Sequence, residues 1–195
     1  YLSGVKPKEQ LEIIKSKAFR EVFSFNYFRG SLYQIDFHHE ILDQWVHAKN
    51  LEDLSKPLYL TAVDLHSGKN LYFNNGDIKT LCMASSALIP FFPPVLYHDY
   101  LLVDGGVKNH MPLQPLKQYF YPIVGVNLHP ILPSSVKQTL WSTAKRALFL
   151  SIYGNGVEVK NMCDCYISYD ALAQYSLLSF KHFDQLCEMG YHDAK

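Results

Sequence analysis

The chain has 195 residues, enough for one domain or most of one, and 48% of them are hydrophobic, which supports a sizeable core. Lys plus Arg and Asp plus Glu number 18 each, so the net charge is zero, and a dedicated nucleic-acid binder with its basic excess is disfavoured. Charged residues are only 18% while aromatics reach 14%, which leaves apolar surface for a core or for an apolar partner.

Taken in chain order, Pro7 and Glu9 mark a helix start, with Leu11, Ile14 and Phe19 as its buried stripe. Residues 19–29 are aromatic and irregular. Residues 31–35 read as a short strand. Residues 38–47 read as an amphipathic helix with Ile41, Leu42, Trp45 and Val46 on one side. Leu58 to Val63 and Leu71 to Phe73 are strands around the turn-rich Asp64-Leu65-His66-Ser67-Gly68-Lys69, which predicts a hairpin. Residues 78–86 predict a short helix, broken by Pro90, Pro93 and Pro94. Residues 100–103 form a strand that ends at Asp104. Residues 122–128 have the apolar run of a buried strand. A helix over 136–152, a strand over 163–167 and a last helix over 180–191, with Gly190 near its end, complete the chain. Strands alternating with helices predict a layered α/β domain, read as one unit for want of any repeat or linker.

The four cysteines are Cys82, Cys163, Cys165 and Cys187. One lone C-x-C without a second pair is not a zinc pattern, and four reduced thiols are expected. No stretch reaches the roughly 18 apolar residues of a membrane span, and no signal peptide opens the chain. The expected location is the cytoplasm or a membrane surface. The chain opens on Tyr1 rather than methionine, so an N-terminal targeting signal is not readable from it.

One segment carries chemistry. Leu101-Leu102-Val103 delivers the carboxylate of Asp104 at a strand end, and Gly105 and Gly106 follow at once. Ligands of α/β sheets collect at strand ends, and glycines let backbone approach substrate closely. By itself Val-Asp-Gly-Gly-Val also fits a plain hairpin turn. Upstream lies Ala84-Ser85-Ser86-Ala87-Leu88-Ile89-Pro90-Phe91-Phe92-Pro93-Pro94-Val95, and downstream Asn109-His110-Met111-Pro112.

In that order these segments resemble the second half of the patatin-like phospholipase family. The resemblance takes in Pro57-Leu58 through Asp64 and Gly68, the strand ending at Val126, and the ending from Tyr175 to Tyr191, nearly the whole chain. It implies a three-layer α/β/α sandwich with a mostly parallel central sheet, spanning 1–195 as a single patatin-like domain. It further implies a serine lipid acyl hydrolase with a Ser-Asp dyad, acting on phospholipid or another lipid ester, with peripheral membrane contact and without metal or organic cofactor. Asp104 takes the general-base role, with Gly105 and Gly106 as its turn. Ser85 and Ser86 fall beside the site as pocket wall or turn caps, since no strand–turn–helix elbow surrounds them. Phe91, Phe92 and Pro94 fall at the acyl-chain wall.

The chain departs from the family pattern in one respect. Ser3-Gly4 lacks the upstream glycine of G-x-S-x-G, and Gly154-Asn155-Gly156 lacks a serine. The resemblance sets Tyr1-Leu2-Ser3-Gly4-Val5 one to two helical turns after the nucleophile, so the serine and the glycine-rich oxyanion loop are expected outside these residues. Other readings are a catalytically inactive lipid-binding or interaction protein on the same fold, and an acyltransferase.

The remaining candidates have plainer readings. The aromatics from Phe19 to Phe28 are core before they are a lipid-facing patch. Tyr119-Phe120-Tyr121 is expected to pack on a sheet edge, and Lys137, Lys145 and Arg146 to line a solvated helix face. His38, His39, His98, His110, His129, His182 and His192 show no metal spacing and are expected at the surface or hydrogen-bonded.

Overall fold

Residues 2, 4–25, 31–36, 40–153, 160–175 and 181–193 are described in a computed structural model of the chain. They divide into two units, Tyr1–Lys108 and Asn109–Lys195.

In the first unit, α1 (Pro7–Lys15) starts as its sequence predicts, with Lys6 N donating to Glu9 Oε2 at 3.0 Å. None of its residues is fully buried, so the expected buried stripe is only a partly covered one. Ser16 ends it and caps α2 (Lys17–Glu21), its Oγ accepting from Phe19 N at 3.1 Å. The stretch expected to be irregular holds β1 (Phe23–Phe25), paired antiparallel with β2 (Tyr33–Ile35). Residues 26–30 and 37–39, which include Phe28, His38 and His39, lie outside the described residues. Helix α3 is Glu40–Trp45.

Strands β3 (Leu60–Asp64) and β4 (Asn70–Phe73) form the predicted hairpin. Helix α4 (Ile78–Ser85) follows, Asp77 capping it through a 2.8 Å bond from Thr80 N. A second hairpin, β5 (Val95–Tyr97) with β6 (Tyr100–Asp104), was half hidden in sequence: prolines mask β5, and His98 turns the chain at φ 51°. The sheet order is β4-β3-β6-β5.

Every pairing in that sheet is antiparallel. The α/β class stands, but the mostly parallel sheet expected from the sequence does not describe these strands. The reason is connection length: tight turns join β3 to β4 and β5 to β6, and a parallel pair needs a long crossover. Ile78, Leu81 and Ala84 of α4 bury against Ala62, Val95 and Leu102 on one face of the sheet. A fully buried leucine such as Leu81 or Leu102 contributes about 1.5–3 kcal/mol.

The second unit has the one parallel pair among the described residues, β7 (Val124–Asn127) with β8 (Cys165–Ser168), in register Val124↔Cys165 to Asn127↔Ser168. Helix α5 (Leu140–Tyr153) lies in the crossover. It starts later than predicted because Thr139 caps it, accepting from Ser142 N at 3.3 Å. Strand β7 is not of the buried type expected: Val124, Val126 and Leu128 are all more than half exposed. Tyr119, Phe120 and Tyr121 do not pack on a sheet edge either; Phe120 is 94% exposed. A 3-10 helix, Gln114–Tyr119, ends at Phe120 with φ 53°, which points that ring into solvent. Helix α6 (Phe183–Asp193) closes the chain, with Gly190 inside it. Lys137 and Lys145 are exposed as expected, whereas Arg146 is partly buried and donates to Leu132 O at 2.7 Å.

Among the described residues no helix is long and apolar enough to cross a membrane, and none of the four cysteines is in a disulfide.

Candidate active site

Asp104 is the last residue of β6 and sits opposite Ala62 of β3. Leu102 and Asp104 are two residues apart, so they share the sheet face that α4 covers. The position of Asp104 is fixed from both sides. Its backbone N donates to Ala87 O at 3.1 Å, just past the end of α4. Its Oδ1 accepts from Gly106 N at 2.7 Å. Burial pushes its pKa above the ordinary carboxylate range, and the Gly106 N–H offsets part of that rise. The result is a carboxylate of raised basicity, held by backbone at a strand end.

The Asp-Gly-Gly segment is not a hairpin turn. Gly105–Val107 forms a single 3-10 turn, closed by Lys108 N on Gly105 O at 3.2 Å. Gly105 is buried and has no left-handed φ. What it needs is space: a Cβ there would lie 2.2 Å from Thr61 Oγ1 and 2.6 Å from Thr61 O. The glycine lets the turn lie flat against β3, and that contact aims the residue before it.

The serines lie at the end of α4. Ser86 spends its hydroxyl on Cys82 O, donating at 2.7 Å, which is a helix back-bond and suits the turn-cap reading. Ser85 is the last residue of the helix and is partly buried. The loop after them runs beside β2: Leu32 N donates to Pro90 O at 2.9 Å and Tyr33 N to Phe91 O at 2.8 Å. Phe92 joins an aromatic group with Phe23 and Tyr33, at ring separations of 6.4 and 6.2 Å. Phe92 and Pro93 line a cavity of about 440 Å³ together with Ser24, Gln34, Ile35, Asp36 and Met83. Ser85, Ser86, Phe91 and Pro94 are not among its lining residues; Phe91 and Pro94 are partly buried nearby in sequence. Phe19 and Phe23 are partly covered, and Phe25 is 66% exposed, so the aromatic stretch divides between packing and solvent.

Two residues that bear on the site were not singled out in the sequence. Thr61 sets the space for Gly105. Asp64, 3% exposed, is a buried carboxylate with four hydrogen bonds, including one from Leu101 N of β6. The signal for Asp64 was present as Asp-x-x-Ser-Gly, a turn in which the aspartate side chain takes backbone N–H groups.

His110 is hydrogen-bonded as expected, to the backbone of Ile152, but only through part of its ring. Its Nε2 is buried and has no hydrogen-bond partner, and its ring lies 5.6 Å from Tyr153. His129 stands 5.2 Å from the same tyrosine. His98, His182 and His192 are exposed as expected. No group of three or more metal-ligating side chains occurs among the described residues.

Asp104 is thus a strand-end carboxylate of raised basicity beside a flat glycine turn, on an α/β scaffold. The family model for patatin-like phospholipase matches residues 1–117, more than half of the chain, and the chain belongs to that family. Its relatives include two proteins of Mycobacterium tuberculosis named as uncharacterized NTE family proteins. One is 32% identical over 66 residues, covering 34% of this chain and 18% of the relative. The other is 22% identical over 170 residues, covering 74% of this chain and 29% of the relative. A Mycobacterium bovis protein of the same family name matches with the same 22% identity over 170 residues. The chain thus spans less than a third of the length of these relatives.

Proposed function

We propose that this chain carries the base of a Ser-Asp dyad in a serine lipid acyl hydrolase of the phospholipase A or esterase type. The observation that supports this most is Asp104 itself. It is held by backbone on two sides, and burial makes it a better proton acceptor than an ordinary carboxylate. In this reading a serine supplied from outside these residues attacks the ester carbonyl of a phospholipid or related lipid. Asp104 takes the serine proton, the alcohol or lysolipid leaves, and water then releases the fatty acid from the acyl-enzyme. A carboxylate whose proton affinity is raised is the better base for a hydroxyl.

The same reading takes 1–195 as part of a three-layer α/β/α domain. Supporting it are α4 on one face of the antiparallel sheet, the parallel β7–β8 pair, and a family match that runs past residue 108. The cavity beside Phe92, with Ile35, Met83 and Pro93 as its other apolar walls, is the proposed place for an acyl chain, and the exposed Phe25 a point of contact with a membrane surface.

The intact protein, assayed on phosphatidylcholine vesicles, should lose activity by about 10²–10⁴-fold on Asp104→Ala, the range for a general base. Its rate should fall on acidification at a higher pH than for an ordinary aspartate, since Asp104 must be ionised to act. Retained activity in a folded Asp104→Ala protein would sink the assignment.

A further inference from the structure

The β3–β4 turn, residues 64–69, holds more hydrogen bonds than a surface turn needs. Asp64 Oδ1 accepts from His66 N at 3.2 Å, and Oδ2 accepts from Ser67 N at 3.0 Å and from Ser67 Oγ at 2.6 Å. Those three bonds close the turn on itself. The fourth leaves it: Leu101 N, in β6, donates to Asp64 Oδ1 at 3.2 Å. Leu65 N returns a bond to Leu101 O at 2.8 Å. Both backbone groups of Leu101 are therefore taken by two consecutive residues of the turn. Leu101 lies three residues before Asp104 on the same strand. At the far side of the Asp-Gly-Gly turn, Lys108 Nζ donates to Gly68 O at 2.7 Å. The turn thus grips β6 before Asp104 and the chain after it.

We propose that Asp64 is a positioning residue for Asp104: its carboxylate fixes the entry of β6, and the strand carries that registration to the base. This rests on the reading of Asp104 as the base. A strand is stiff along its length, so an offset at Leu101 reaches Asp104 with little loss. Displacements of about 1 Å at a reacting group cost up to about 10²-fold in rate. Asp64 is buried and its carboxylate is taken up by the turn and by Leu101, so it has no direct part in the reaction.

Two substitutions separate geometry from charge. Asp64→Asn keeps an oxygen for Leu101 N and His66 N, and loses the charge together with the acceptor of the two Ser67 bonds inside the turn. Asp64→Glu keeps the charge and moves the oxygens outward by one methylene. In the intact protein, with p-nitrophenyl butyrate as substrate, kcat should fall about twofold to threefold in Asp64→Asn and about tenfold or more in Asp64→Glu. KM should stay put in both, because the substrate is not touched. Melting temperatures taken alongside show that each variant is folded. If Asp64→Glu does not fold, Asp64→Ala replaces it, since it removes the acceptor outright. Wild-type kcat in the folded Glu or Ala variant overturns the proposal, as does an Asn variant slower than the Glu one. Asp104→Ala in the same assay keeps the two ideas apart. Activity surviving there removes the dyad reading itself, whereas activity lost there with the Asn and Glu order reversed removes only the positioning role.

Discussion

Asp104 and Gly105 impose opposite demands on neighbouring atoms. The carboxylate gains basicity from being covered, and the glycine must be bare so that the cover can come close. Adding one carbon tests this. Gly105→Ala forces a Cβ against the backbone of Thr61, where the nearest atoms are too close for any contact. The expected cost is about 1–3 kcal/mol of stability, read as a lower midpoint in urea, the usual range for overpacking. Activity should fall further than stability does, because the strain is released by moving Asp104. A variant with a wild-type midpoint would mean that the turn does not lie against β3. The place of Asp104 at a strand end was legible in sequence because an apolar run that ends in an aspartate before two glycines is a local pattern. Thr61 was not, because it is more than forty residues away in sequence and only the β3–β6 pairing brings it there.

Elements were legible where one short-range signal fixes them and illegible where the surroundings decide. Pro7 with Glu9, the hairpin around Asp64, and the apolar spacing in α4 are such local signals. Strand β1 was missed because its three aromatic-rich residues gain their identity from β2. Strand β7 was read as buried from its valines, yet only Gly125 is buried in it, with Cys163 Sγ 2.6 Å from where a Cβ would sit. Phe120 is the clearest misfit of residue and conformation. It is left-handed at φ 53° and 94% exposed, so it carries the steric cost of that region with no burial to offset it. Phe120→Gly should therefore raise the midpoint of thermal melting, by about 1 kcal/mol in stability. A lower midpoint would show that the exposed ring contributes to stability.

At the scale of the molecule, the balanced charge argued against a nucleic-acid binder but said nothing of pH. The arrangement around Tyr153 does. His110 and His129 both have pKa values pushed below 6.5, each first by burial, and His129 further by the charge of His110. A native state that binds protons less tightly than the unfolded chain loses stability as pH falls. The contribution is whole above the unfolded value near 6.5 and declines as pH drops below it. Urea midpoints should accordingly fall from pH 7.5 to pH 5. His129→Phe should flatten that slope, since it removes one titrating ring and keeps an aromatic beside Tyr153. A slope unchanged by the substitution would place the pH response elsewhere. The chain order of elements was readable at this scale, but the sense of the sheet was not, because strand direction depends on turns and crossovers that apolar patterning does not record.

The Thr61 contact has a consequence for genetics. Most overpacked sites have a local suppressor, a neighbour that shrinks to make room. At Gly105 the obstacle includes the carbonyl carbon and oxygen of Thr61, which every amino acid shares. No replacement at position 61 removes them. A selection for second-site revertants of Gly105→Ala should yield reversion at 105 itself, or changes that widen the gap between β3 and the turn, and none confined to the side chain of residue 61.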